Sequence, residues 1–140
     1  MTFQQHYQGR FINMLRWPQL VQLWDQVKAQ PNGWYIYFVG ETVPTVPVEA
    51  AALNKFIQEV DKLLHQEHDF DYCGIVYADD KKTPAMVKIF DPNNLGATCG
   101  SSGTVVPPRW LLTRIPPQSI TDDAPTPANR KRWWQRLFST

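Results

Sequence analysis

The sequence lacks any run of apolar residues close to the roughly 18 to 20 needed to span a bilayer. Its first residues also lack a charged start, an apolar stretch and a small-residue cleavage site, so we expect neither a membrane span nor a signal peptide. We therefore predict a cytoplasmic protein. It has only two cysteines, Cys73 and Cys99. A reducing compartment favours free thiols, although a Cys73–Cys99 pair remains open.

The chain also has little net charge, +1 at neutral pH, and this excludes a broad electrostatic surface for nucleic acid. The charge is unevenly placed, because the last residues are basic. The terminal cations are Arg130, Lys131, Arg132 and Arg136. Nucleic-acid affinity depends on many phosphate contacts, so four cations do not favour such a partner.

Hydrophobic residues make up 43% of the chain and aromatic residues 13%, which predicts a packed core rather than disorder. Apolar spacing predicts helices at 18–30 and about 48–65, and strands at 34–39, 72–78, 86–90 and 110–115. The second helix has the clearest pattern, with an apolar stripe formed by Leu53, Phe56, Ile57, Val60 and Leu64. Residues 11–15 fit an edge strand or a helical turn.

The predicted order α-β-α-β-β-β indicates the α+β class. The strand–helix–strand segment at 34–78 has room for a right-handed parallel crossover, and the 72–90 hairpin and last strand extend the sheet antiparallel. We therefore expect a mixed four-stranded sheet with helices packed on it. Residues 118–129 are rich in Ser, Thr, Asp, Ala and Pro, which is typical of a linker. The expected organisation is a single domain at 1–117, a flexible linker at 118–129 and a basic tryptophan-rich amphipathic motif at 130–140.

The terminal motif separates two kinds of residue on a helix. Trp133, Trp134, Leu137 and Phe138 share one side, and the basic residues named above are candidates to steer it towards negative surfaces. Such a helix can dock in a groove of a protein partner or lie on an anionic membrane. It can also fold back onto an aromatic patch of its own domain. We predict partner binding by these eight residues.

A second candidate site is the glycine-rich loop at 93–103. Glycines let backbone N–H groups converge on a ligand, and hydroxyl and amide side chains add further polar groups. The candidate ligand-binding residues are Asn93, Asn94, Gly96, Thr98, Gly100, Ser101 and Ser102. Cys99 is a weak candidate nucleophile, because no histidine lies nearby in the sequence to activate it. The loop has neither a P-loop nor a dinucleotide fingerprint, so no cofactor is expected.

His65 and His68 are weak candidates for metal ligands, since they would share one side of a continuing helix. Histidines at the end of a helix also interact favourably with its dipole. This ordinary explanation leads us to expect no metal site.

Two segments, 34–41 (WYIYFVGE) and 91–96 (DPNNLG), resemble parts of small bacterial proteins of unknown function. The resemblance extends over residues 10–117. It implies no activity and no functional residue.

Together these features favour a non-enzymatic interaction or adaptor module with a C-terminal docking motif, whose linker raises the local concentration of that motif. The alternative is a small ligand-binding protein or a Cys99-dependent enzyme that uses the 93–103 loop. Thiol titration of the native protein would discriminate the interaction module from the Cys99-dependent enzyme, since a nucleophilic cysteine is labelled fast at low pH.

Overall fold

The computed structural model describes residues 2–68, 70–92, 107–120 and 128–138. Its elements, in chain order, are α1 Phe3–Tyr7, β1 Ile12–Asn13, α2 Trp17–Ala29, β2 Tyr35–Phe38, α3 Ala50–Glu67, β3 Val76–Ala78, β4 Met86–Ile89, β5 Trp110–Thr113 and α4 Ala128–Phe138. The α+β class predicted from the sequence is confirmed.

The strands form one sheet in the order β1-β3-β4-β5-β2. The sheet has five strands, not the expected four, because the ambiguous N-terminal segment contributes β1 as an edge strand. All four pairs of neighbouring strands are antiparallel, so the expectation of a mixed sheet was wrong. The predicted parallel crossover is not formed: β2 pairs with β5, and β3 lies between β1 and β4.

The first face of the sheet is covered by α2 and α3. Helix α2 begins with proline in its first turn, where the missing N–H costs nothing, and it buries Leu20, Leu23, Trp24 and Val27. The predicted stripe of α3 is confirmed, because all five of its residues are buried. These helices pack on strand residues such as Ile36, Phe38 and Trp110 to form the main core.

The second face carries a smaller apolar cluster of Phe3, Tyr37, Val39, Met86 and Leu111. Helix α1 covers part of this face. It begins with a capping box in which the side chains of Thr2 and Gln5 each accept from the other's backbone N–H. His6 of α1 contacts Asp79 at 2.7 Å, just after β3. The fold therefore has apolar packing on both sides of its sheet.

No helix in the described part of the chain is long and apolar enough to cross a membrane.

Candidate functional site

The C-terminal helix α4 lies on the main core, and its aromatic side contacts the domain. Trp134 packs 5.0 Å from Phe38, and Trp133 packs 5.3 Å from Trp110, measured between ring centroids. Both tryptophans also meet Phe56 of α3 edge-on. Leu137 is buried, and the ring of Phe138 packs at a tilt against Trp134, with 4.5 Å between the ring centroids. The apolar side of the motif thus covers an aromatic surface of its own domain, as in the third arrangement considered above.

Arg130 fixes the start of this helix through an ion-pair cluster. Its guanidinium donates two hydrogen bonds of 2.8 Å to the carboxylate of Glu67, at the end of α3. It donates two more to Asp91, at 3.0 and 2.8 Å. Such bidentate pairs are the strongest that arginine makes with carboxylates. Arg130 is only 2% exposed, so the cluster holds α4 on the domain rather than attracting ligands from solvent.

Asp91 is the centre of the cluster, because a second arginine reaches it. The Nε of Arg109 lies 3.2 Å from its Oδ2, and both Asp91 and Arg109 are buried. Burial by itself would lower the pKa of Arg130, but hydrogen bonds and charge attraction from Glu67 and Asp91 outweigh it and raise that pKa above its usual value. The guanidinium is therefore charged at neutral pH.

The remaining cations of the motif point the other way. Lys131, Arg132 and Arg136 are exposed, and Lys131 lies 3.7 Å from Glu41. The sequence groups Arg130 with these three residues as steering charges. The structure separates it from them, since Arg130 is internal and the other three face solvent.

A groove of about 450 Å³ runs between α3 and α4. Its cationic side chains include Lys55 and Lys62 from α3 and Arg136 from α4. Lys55 and Lys62 are seven residues apart, which places them on one side of α3 two turns apart. Glu59 and Glu67 also line the groove, and Leu63 and Leu137 provide apolar surface within it. The groove is a polar, partly apolar channel with more basic than acidic side chains.

The other predicted site residues are not brought to this groove. Asn93, Asn94, Gly96, Thr98, Cys99, Gly100, Ser101 and Ser102 lie outside the described residues. His65 is exposed, and its ring stacks on Trp17 at a centroid distance of 4.0 Å. His68 is buried, and its Nε2 donates to the carbonyl of Cys73 at 2.7 Å. Among the described residues, no group of three or more side chains is placed to hold a metal ion.

Cys73 is a free thiol that is fully buried in the main core. Burial raises the pKa of this thiol, although backbone N–H groups of Ile75 and Val76 act in the opposite direction. A thiol with a raised pKa forms little thiolate at neutral pH. Cys73 is therefore an inert core residue rather than a nucleophile.

Sequence reasoning missed two structural features of the folded chain. It gave no role to Asp91, Glu67 or Arg109, which form the ion-pair cluster with Arg130. It also placed Lys88 in a strand without comment, although this lysine interrupts the apolar run Met86–Phe90. That single charge within an otherwise apolar strand was the available signal.

No family model, no curated protein and no solved structure matches the chain. The fold and the groove therefore define the chain only as an α+β protein with a five-stranded antiparallel sheet and a docked C-terminal helix. The resemblance to small bacterial proteins stays a prediction.

Proposed function

We propose that the protein is a non-enzymatic interaction module that binds an acidic segment of a protein partner in the groove between α3 and α4. The observation that carries the proposal is the division of α4 into two sides. Its aromatic side packs on the domain and Arg130 is buried, while the exposed Arg136 lines the same groove as Lys55 and Lys62 of α3. Docking of the helix thus assembles cations from two elements along one channel.

The chemistry of the groove favours a protein over the other anionic partners. An amphipathic helix binds a membrane by inserting its apolar side, and that side of α4 is occupied by Phe38, Phe56 and Trp110. The phosphates of a nucleic acid would be repelled by the carboxylates of Glu59 and Glu67, which line the groove. An acidic peptide can place its carboxylates on the lysines and a small apolar side chain near Leu63 and Leu137.

The expected affinity is modest. Exposed ion pairs contribute about 0.2 to 1 kcal/mol each, so a few of them give weak and salt-dependent binding. This suits an adaptor that exchanges partners. A cytoplasmic location agrees with the proposal, because Cys73 is a free thiol.

The test uses fluorescence anisotropy with a labelled peptide of alternating glutamate and alanine, and a matched peptide with glutamine in place of glutamate. We expect the full chain to bind the acidic peptide only, and raising the salt from about 50 to about 300 mM to weaken binding severalfold. The double variant Lys55→Glu, Lys62→Glu should weaken it about tenfold, because two attractions become repulsions.

The matched control is Lys28→Glu with Lys81→Glu, which reverses two exposed charges outside the groove and should leave binding unchanged. Equal binding of both peptides, or equal loss in both double variants, would refute the groove as the site. Vesicles of phosphatidylglycerol and phosphatidylcholine form a further arm. If the protein binds the vesicles but not the peptide, the proposed protein partner is wrong and the groove binds a membrane instead.

A further inference from the structure

A tight turn joins helix α2 to strand β2, and it contains the dipeptide Asn32-Gly33. Both residues are exposed. Gly33 has a φ of +84°, in the left-handed region that glycine adopts without a steric cost. Apart from its chain neighbours, no described atom lies within 4 Å of the position that a Cβ would take at Gly33. The turn is therefore uncrowded around this glycine.

Two groups of this turn that can react with each other are both free. In the described part of the chain, the backbone N–H of Gly33 donates no hydrogen bond, and the side-chain amide of Asn32 makes none either. A backbone nitrogen inside a helix, in contrast, has its N–H bonded to a carbonyl of the preceding turn. Gly33 lacks this restraint, and it also lacks a Cβ that would hinder the approach of the neighbouring side chain.

We propose that Asn32 is a deamidation site, at which the backbone nitrogen of Gly33 attacks the side-chain amide carbon of Asn32. Base in solution removes the N–H proton, the nitrogen lone pair forms a bond to Cγ, and the bond from Cγ to Nδ2 breaks. The leaving nitrogen takes up a proton from water and departs as ammonia, and a succinimide ring remains. The reaction needs no donor other than water.

Water then opens the succinimide ring at either of its carbonyl carbons. Cleavage of the bond between Cγ and the nitrogen of Gly33 gives aspartate, with the backbone as before. Cleavage at the main-chain carbonyl of position 32 gives isoaspartate, in which the backbone runs through the former side chain and is longer by a single carbon. Either product adds one negative charge, so the formal net charge falls from +1 to 0.

Asn54 is the matched comparison within the same chain. It is exposed like Asn32, but it lies inside α3, and helical hydrogen bonding holds the N–H of the next residue, Lys55. Exposure alone would give equal loss of the two amides. The geometry of the turn instead favours loss at Asn32.

The turn is fixed at both ends, so a change in its length affects the sheet. The indole Nε1 of Trp34 donates a hydrogen bond of 2.9 Å to the carbonyl of Gln30, and Arg114 donates to the same carbonyl at 3.2 Å. Trp34 is buried, and its own carbonyl accepts from Val48 at 2.8 Å. An additional backbone carbon must be accommodated within residues 31–33 or displace Trp34. Isoaspartate therefore loosens the start of β2 as the protein ages, whereas aspartate keeps the backbone length.

The test incubates the folded full chain at mildly alkaline pH and follows each asparagine by mass spectrometry of peptides. Asn32 should convert to isoaspartate and aspartate about tenfold faster than Asn54, since a steric cost of the kind that a Cβ imposes corresponds to about that factor in rate. Equal loss at the two positions would overturn the proposal. Conversion to aspartate without isoaspartate would also overturn it, because direct hydrolysis gives aspartate alone.

Two variants test the attack by Gly33. Gly33→Ala places a Cβ beside the attacking nitrogen and should slow the loss at Asn32 about tenfold. Because alanine is strained at a φ of +84°, Asn32→Gln is the second variant. It keeps Gly33, but its longer side chain must close a larger ring and should lose ammonia much more slowly. Unchanged loss in either variant would show hydrolysis by solvent and contradict the attack.

A further measurement tests the effect on the fold. The aged chain is separated by ion exchange through its additional negative charge, and its isoaspartate content is read from the peptides. It should unfold at a lower urea concentration than the unaged chain, whereas Asn32→Asp should unfold close to it. Equal midpoints for the isoaspartate form and the unaged chain would contradict the loosening of β2. The groove between α3 and α4 takes no part, so this proposal and the proposed function can fail separately.

Discussion

At the scale of single residues, Arg130 is the side chain on which the docking of α4 depends most. It satisfies Glu67 and the buried Asp91 at once. Removing one partner of a buried ion pair leaves an uncompensated charge and costs about 3 to 5 kcal/mol. Because Arg109 still reaches Asp91, we expect Arg130→Met to lower the free energy of unfolding by about 3 kcal/mol in urea denaturation.

The control for Arg130 is Lys131→Met, the next residue along the same helix. Lys131 is exposed and 3.7 Å from the partly exposed Glu41, so its removal should cost less than about 0.5 kcal/mol. Equal effects of the two substitutions would show that the cluster contributes nothing special to stability.

Lys88 gives a prediction with a defined pH window. Burial lowers its pKa to about 8 in the folded chain, from 10.5 as its ordinary value. Between these values the unfolded chain binds more protons than the folded one, so this group makes the free energy of unfolding rise with pH. We expect Lys88→Met to remove that rise and to stabilise the protein by on the order of 1 kcal/mol at neutral pH.

The measurement is urea denaturation of both proteins at about pH 7 and about pH 10. The contribution of Lys88 is the difference between the two proteins in how the free energy of unfolding changes with pH. The raised pKa of Cys73 lowers stability as the pH rises, but it does so equally in both proteins. Lys28→Met serves as the exposed control and should follow the wild type. Parallel pH curves for Lys88→Met and the wild type would contradict the prediction.

The sequence could not have revealed the cluster at this scale. Arg130 and Asp91 are 39 positions apart, and an aspartate before a proline in a polar loop is typical of a solvated turn. Which carboxylate pairs with which arginine depends on how α3, β4 and α4 pack in the folded chain. Local sequence patterns do not predict such long-range ion pairs.

At the scale of elements, prediction succeeded where the local pattern was sufficient. The stripe of α3 specifies a buried side by itself, and the observed bounds, Ala50–Glu67, lie within about two residues of the predicted ones. The arrangement of the sheet is not local. The connection formed by residues 39–75 is long enough to place β3 either next to β2 or further along the sheet. Because β5 pairs with β2, β3 takes the position further along.

The aromatic contacts of Trp134 make it possible to test how firmly helix α4 is held on the domain. Trp134 touches Phe38, Phe56 and Phe138 and is only partly exposed. Full truncation of a buried tryptophan costs about 3 to 5 kcal/mol. We therefore expect Trp134→Ala to weaken docking by about 2 kcal/mol and to reduce hydrogen-exchange protection of the amides in 128–138.

The comparison for Trp134 is Arg132→Ala on the exposed side of the same helix. It should leave the protection of α4 near that of the wild type, since it removes no contact with the core. If the amides of α4 exchange equally fast in the wild type and in Trp134→Ala, the helix is not held by this contact.

At the scale of the whole molecule, the question is whether α4 belongs to the same cooperative unit as the sheet. The sequence predicts a domain at 1–117, a linker and a separate motif. In the structure, Leu137 and the aromatic residues of α4 join the main core, and Arg130 ties α3 to the end of β4 through Glu67 and Asp91. We therefore expect the chain ended after residue 127 to unfold at a temperature about 10 °C lower than the full chain, because losing the cluster and the aromatic packing removes about 3 kcal/mol or more. The test is thermal unfolding followed both by circular dichroism and by tryptophan fluorescence. Coincident single transitions in the full chain would indicate one cooperative unit. An unchanged unfolding temperature after truncation would instead establish the three-part organisation, with α4 as an independent motif.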